Sequence, residues 1–349
     1  MGSSSIRKKE NKKKWWITTG VFLTVLLGMV VWFNVTPFPS AMIIRIFFDA
    51  NAKSVGKVQV DSVQGDLPVK IKRNIRYRDD GERSVLDVYV PEDAVKKNAT
   101  LPLVIWTHGG AWISGDKNFT ETYFEMLAGE GFVVVALNYD LAPEKKYPYQ
   151  LHQINDAHRF IVENAHEYNI DSTKVVLAGS SAGAQLSAQF AGLITNVEYA
   201  DEVGIDLNLK PQQLMATVLY SGIYDMQKLS STEGISSNLI RWGFKSASWA
   251  YTGERDSDGS LLYQSSPINF VTKEFPMTYI SGGNEDALTK LQSIPFVNAL
   301  EQSGVNVRSR FFADNFEPAL RHENQFVLDE NGMKIFREMC EFLNFATEE

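Results

Sequence analysis

The chain has one cysteine, Cys340, so no disulfide can close within it. That excludes the cysteine-stapled scaffolds of small secreted domains and any all-cysteine metal site. It fits a cytosolic protein, and equally an exported protein of a cell that uses few disulfides. Cys340 lies in a helical pattern, Gly332 to Phe345, where a core thiol is expected. Histidine is also scarce: His108, His152, His158, His166 and His322 are all there are. There is no HExxH, no cysteine pair, no acid cluster at ligand spacing, no phosphate loop and no G-x-G-x-x-G, so neither a metal nor a cofactor is expected. Internal repeats are lacking, and so is low-complexity sequence beyond the basic N-terminus. Positive charge is short outside residues 1–14. Those residues carry Arg7, Lys8, Lys9, Lys12, Lys13 and Lys14 against Glu10, whereas the rest holds 28 basic and 41 acidic side chains. So acidic a body is repelled by phosphates, and nucleic acid is not an expected partner.

Long apolar runs are few, and one stands out. Trp15 to Phe33 is nineteen residues without a charge. At about 1.5 Å per residue it nearly spans the ~30 Å of bilayer hydrocarbon. Trp15, Trp16 and Trp32 sit at its ends, where interfacial indoles belong. The basic cluster before it keeps the N-terminus cytoplasmic and sends the remainder across the membrane. A cleaved signal would have a shorter apolar core, and no good small-x-small site follows immediately after Phe33, Ala50-Asn51-Ala52 being too far downstream. The sequence thus divides into a basic tail (1–14), a transmembrane anchor (15–33), a stalk or possible cap segment (34–69) and a large domain (70–349). In the stalk, Thr36-Pro37-Phe38-Pro39 is a stiff break. Ala41 to Phe48 is apolar on nearly every face, with Arg45 and Asp49 spaced i,i+4 as on one helical turn. That run is expected to roof a pocket or to lie in the bilayer interface.

With 349 residues, 44% of them hydrophobic, the chain can bury a full core. Lys70–Arg78 and Ser84–Val90 read as a hairpin around Asp79-Asp80-Gly81. Leu101–Thr107 and Phe132–Asn138 are continuous apolar runs of the kind buried on both faces, as are Lys174–Ala178, Leu214–Tyr220 and Met277–Ile280. Val305–Phe312 reads as a last strand. Helical patterns near 119–129, 150–168, 182–195, 287–303 and 331–345 lie between them. This alternation predicts an α/β fold, a mainly parallel sheet with helices on both faces and the hairpin at its edge. An aromatic-rich interval, about 226–275, breaks the rhythm and is expected to be an insertion over the active edge.

Gly179-Ser180-Ser181-Ala182-Gly183 joins a strand to a helix. A serine hydroxyl is a poor nucleophile and must project from a sharp turn towards a base, which flanking glycines permit. Alone the pattern is weak, because any glycine-rich turn can match it. Its context is stronger. His108-Gly109-Gly110-Ala111-Trp112 ends the strand Leu101–Thr107, where backbone N–H groups can meet a tetrahedral oxyanion. Gly109, Gly110 and Ala182 are the expected donors, with a one-residue shift towards Ala111 left open. In chains with this strand–turn–helix serine, an acid and then a histidine follow it. Only His322 lies beyond Ser181. The acid should end the preceding strand, at Asp286, with Glu285 as rival; Asp225 falls one strand too early. His152, His158 and His166 read as surface or packing residues, and His108 as a brace for its own loop.

These motifs, together with Tyr139-Asp140-Leu141-Ala142-Pro143-Glu144 and Asp286-Ala287-Leu288, resemble the hormone-sensitive-lipase-like branch of the α/β-hydrolases. The likeness is greatest to its bacterial esterase and acetyl-xylan/feruloyl-esterase-like members, and it runs from about Arg83 to Phe345. It implies the α/β-hydrolase fold with Ser181 as nucleophile, Asp286 as acid, His322 as base and an oxyanion hole from the His108–Ala111 loop. Ser180, Ala184 and Asp140 depart from the family pattern, which commonly has an acid, a glycine and an arginine there. Ala111 replaces a third glycine. The implied activity is hydrolysis of small carboxylic esters of short to medium acyl chain, outside the cytoplasm. Amide or exopeptidase chemistry on the same residues is the alternative. A non-catalytic binding module would lack one of the three residues, and none is lacking.

Overall fold

Alternating strands and helices from residue 69 onward build one eight-stranded sheet in a computed structural model of the chain. The backbone is described for residues 3–62 and 67–348, and the side chains for 15–50 and 67–348. The expected basic tail (1–14) and the end of the stalk therefore lie outside the described side chains. The strands are β1 (Val69–Arg76), β2 (Val85–Pro91), β3 (Leu101–Thr107), β4 (Val133–Leu137), β5 (Ile170–Ser180), β6 (Leu214–Tyr220), β7 (Met277–Gly282) and β8 (Val307–Phe311). Their order is β1-β2-β4-β3-β5-β6-β7-β8. β1 and β2 pair antiparallel at one edge, and β4 to β8 run parallel with β3. Connections leave β3 towards one edge and return through β5 towards the other. The crevice at such a reversal, outside the carboxyl ends of β3 and β5, is where an open α/β sheet places its site.

Twelve α-helices accompany the sheet among the described residues: α1 (Ser3–Val35), α2 (Phe38–Ser62), α3 (Glu92–Lys97), α4 (Glu121–Gly129), α5 (Tyr149–Glu163), α6 (Ala182–Thr195), α7 (Val197–Val203), α8 (Met226–Ser231), α9 (Asn238–Thr252), α10 (Ser260–Gln264), α11 (Ile294–Gln302) and α12 (Glu330–Glu348). Successive strand residues point to opposite faces, which divides the core in two. Leu103 and Ile105 face Leu151, Leu186 and Phe296 of α5, α6 and α11. Val104 and Trp106 face Phe124 of α4 and Phe336 and Met339 of α12. Cys340 is buried in that second layer, and burial pushes its thiol pKa up. β5 is longer than its apolar run, because Ile170 and Asp171 still pair with Leu101 and Pro102 before a bulge restores the central register. The helical pattern at 150–168 breaks at Asn164, so exposed His166 sits in a separate 3₁₀ turn. His158 is buried in α5, which pushes its pKa down to about 4.

The N-terminal region is more helical than its sequence suggests. α1 contains an apolar stretch, Trp15–Val35, long enough to cross a membrane and fully exposed in the isolated chain. Only Thr36 and Pro37 separate it from α2. α2 continues through the polar residues to Ser62. Arg45 and Asp49 do not pair with each other as their spacing suggested; each reaches the sheet domain instead. Arg45 donates to the carbonyls of Ile113 (2.5 Å) and Ala142 (2.8 Å) and forms a two-pronged ion pair with Glu144. Asp49 accepts from the Ser114 hydroxyl. At the end of α1, Arg255 donates to the Asn34 carbonyl at 2.9 Å and lies over the Trp249 ring.

Candidate active site

The turn between β5 and α6 is tight for reasons that can be named. Ser181 adopts φ 50° and ψ −120°, with its N–H on the Tyr220 carbonyl at 2.8 Å. A β-carbon on Gly183 would stand 2.0 Å from the Thr107 carbonyl oxygen, so only glycine lets α6 start this close to β3. The Ser181 hydroxyl is thereby held proud of the sheet, 3.1 Å from His322 Nε2. His322 Nδ1–H donates to Asp286 Oδ2 at 2.9 Å, which fixes the imidazole tautomer. The other Asp286 oxygen accepts from the Leu288 N–H at 3.0 Å.

Electrostatics follow from this arrangement. Burial would push the Asp286 pKa up, but His322, the Leu288 N–H and Ser221 together hold it below the usual carboxylate value. Burial likewise opposes the His322 imidazolium, and the Asp286 carboxylate outweighs it by charge and hydrogen bond, raising the pKa to about 9. The His322 side chain is 41% exposed towards the cavity, so solvent there screens part of that attraction.

Opposite Ser181 lies the loop after β3. Gly110, Ala111 and Trp112 all take positive φ (109°, 52° and 62°). A run of such residues turns successive N–H groups towards one concavity. A β-carbon on Gly109 would come within 3.0 Å of the Ser181 β-carbon, a measure of how closely the two backbones meet. Ala182 is the first residue of α6, where an N–H has no partner in a preceding turn. The loop is braced. His108, stacked on Tyr139 at 4.3 Å, donates from Nδ1 to the Gly109 carbonyl, and the Tyr139 hydroxyl donates to the His108 carbonyl. Burial and the nearby Arg83 charge drop the His108 pKa to about 3, so it stays neutral. Trp112 stacks on Tyr251 at 4.7 Å and donates to Gln185.

These groups open on a cavity of about 490 Å³. Its walls include Gly109, Gly110, Ser181, Asp286 and His322, together with Leu229, Ile240, Phe244 and Ala247 from α8 and α9, and Phe48 from α2. Glu285 is exposed at its rim, and Asp225 caps α8 by accepting from the Lys228 N–H. Among the described residues, no group of three or more His, Cys, Asp or Glu is placed to hold a metal. Three contributors escape sequence reasoning. Ser221 follows β6 at φ 48°, supports Asp286, and accepts from the Glu323 N–H at 3.3 Å. Glu323, at φ 58°, packs against Gly109. Arg45 holds the carbonyl of Ile113 from outside the domain. Only the positional clue that Ser221 ends a parallel strand was visible beforehand.

The BD-FAE family profile matches residues 86–300. The esterase LipC of Mycobacterium tuberculosis is 28% identical over 236 residues, 66% of this chain and 55% of that protein. Kynurenine formamidase of Salmo salar is 33% identical over 159 residues, 46% of this chain and 48% of that protein. The chain spans about half the length of these curated relatives. Esterase B from Lactobacillus Rhamnosis has the same fold, with a TM-score of 0.75 at 20% identity, covering 89% of this chain and 96% of that one. The match over well more than half of its length means that this chain belongs to the BD-FAE family, within the α/β-hydrolase superfamily.

Proposed function

We propose that the chain is a membrane-anchored serine hydrolase that cleaves carboxylic esters of short to medium acyl chain through an acyl-enzyme. The observation that carries this reading is the hydrogen-bonded line from Asp286 through His322 to Ser181, opening on an apolar-walled cavity. Ser181 Oγ attacks the ester carbonyl carbon as its proton passes to His322 Nε2, and Asp286 stabilises the imidazolium. Negative charge on the former carbonyl oxygen is met by the N–H groups of Gly109, Gly110 and Ala182. The imidazolium then protonates the departing alcohol. Water enters and gives a proton to His322 as its oxygen attacks the acyl carbon. The acyl–Oγ bond then breaks to release the acid while His322 returns the proton to Ser181 Oγ.

Support for the anchor is the exposed apolar helix Trp15–Val35. The basic residues before it favour a cytoplasmic N-terminus and a hydrolase domain on the far side. The test is labelling by a fluorophosphonate probe, with p-nitrophenyl esters of graded chain length as substrates. The parent protein is expected to label and to prefer short or medium acyl groups. Labelling that survives Ser181→Ala would overturn the assignment. Likeness to kynurenine formamidase favours amide hydrolysis as a second reading. Faster turnover of anilides than of matched esters would select it.

A further inference from the structure

α2 has two apolar faces. Ala41 and Ile44 are buried against the sheet domain, and Phe48, on the same stripe, walls the cavity. Ile43 and Ile46 point the other way, and Ile46 is 72% exposed. A helix apolar on every side needs cover on every side. α9, which packs against α2, repeats the pattern. Ile240 lines the cavity, and its neighbour Leu239 is 74% exposed. The two adjoining helices therefore give the cavity an edge of apolar side chains that face outward. Its surroundings name the cover. α1, with its exposed membrane-length stretch, ends two residues before α2. Arg255, three residues beyond α9, holds the Asn34 carbonyl at the end of that span. The apolar edge thus lies beside the carboxyl-terminal end of the membrane-length helix.

We propose that Ile43, Ile46, Leu239 and Ile240 form a rim that rests in the outer surface of the bilayer carrying α1, and that the cavity takes its ester from that surface. The substrate class is an amphiphilic ester. Its scissile bond enters the cavity, while its remaining apolar body stays against the rim. The inference rests on the ester-hydrolase reading above and narrows it.

Two measurements on the full chain in phosphatidylcholine vesicles test it. In the first, a fluorophore is placed by Ile46→Cys, and separately by Lys97→Cys as control. Cys340 is buried and does not compete. Lys97 lies on α3, after the end of β2 that pairs towards the amino-terminal ends of the parallel strands, and is 72% exposed. Lipids quench-labelled in their chains should quench the label at position 46 and not that at position 97. In the second, the double variant Ile46→Glu/Leu239→Glu is assayed on p-nitrophenyl acetate in water and p-nitrophenyl decanoate dissolved in the vesicles. Carboxylates at the rim should cut the second activity about tenfold or more and leave the first within about twofold. Absence of quenching at position 46, or equal loss on both esters, overturns the rim. A parent protein quenched at position 46 that cleaves neither ester overturns the ester-hydrolase reading instead.

Discussion

At Ser181 an L-residue is held at positive φ, a conformation that costs about 1–3 kcal/mol and persists only where the surroundings enforce it. Here the Tyr220 carbonyl and the approach of α6 enforce it. Ser181→Ala keeps the β-carbon and the turn, so the fold should survive while kcat falls on the order of 10⁶-fold, as another serine hydrolase loses. Asp286→Asn should lower kcat about 10⁴-fold, whereas Glu285→Gln, exposed at the rim, should leave it nearly unchanged. The pH profile carries the sign of the His322 shift. The base works neutral, so kcat/KM falls as pH drops through its pKa. Because Asp286 raises that pKa, the acid limb should lie above the ordinary 6.5. In Asp286→Asn it should move down, because the imidazolium then loses its compensating charge. A limb that does not move would detach His322 from Asp286. Ser181, Asp286 and His322, which lie in one hydrogen-bonded line, could be proposed from sequence because motif order and a shortage of histidines left few choices. Ser221, Glu323 and Arg45 could not, since their contributions depend on backbone angles and on distant contacts such as Arg45 with Ile113, 68 positions away, and Ser221 with Glu323, 102 away.

Elements transmit these constraints through a few close approaches. Gly183→Ala would drive a β-carbon into the Thr107 carbonyl and push α6 from β3. It should cost about 3 kcal/mol or more, read as a lowered Tm with loss of probe labelling. Arg45→Ala should act differently. It frees the Ile113 and Ala142 carbonyls and Glu144, so the 110–114 loop loses its outer brace. The expected result is a kcat lowered about tenfold with KM for an acetate ester little changed, since the loop shifts and the cavity stays. A KM effect alone would mean that α2 only walls the pocket. Strands were the most legible elements, because burial on both faces writes a continuous apolar run. The full length of α2 was not legible. Its second half is polar, and what fastens its first half is a set of carbonyls in the loops after β3 and β4. α3 and α7, of six and seven residues, are too short to show a helical period.

For the whole molecule, the anchor reading predicts a sidedness. Protease added to intact cells should remove the hydrolase domain and spare a tag on the N-terminus; a tag lost with the domain would reverse the orientation. That expectation rests on the charge pattern of the first fourteen residues rather than on the fold. The joint of Thr36 and Pro37, with the Arg255 clasp on Asn34, has a kinetic meaning as well. On the anchor reading, a span and a body joined in this way would leave the mouth little freedom of height, and the protein would search by sliding and spinning in a plane. An ester dissolved in that plane is counted per lipid rather than per litre. Adding inert phospholipid at constant total ester should therefore slow turnover, and doubling the volume of buffer should leave it unchanged.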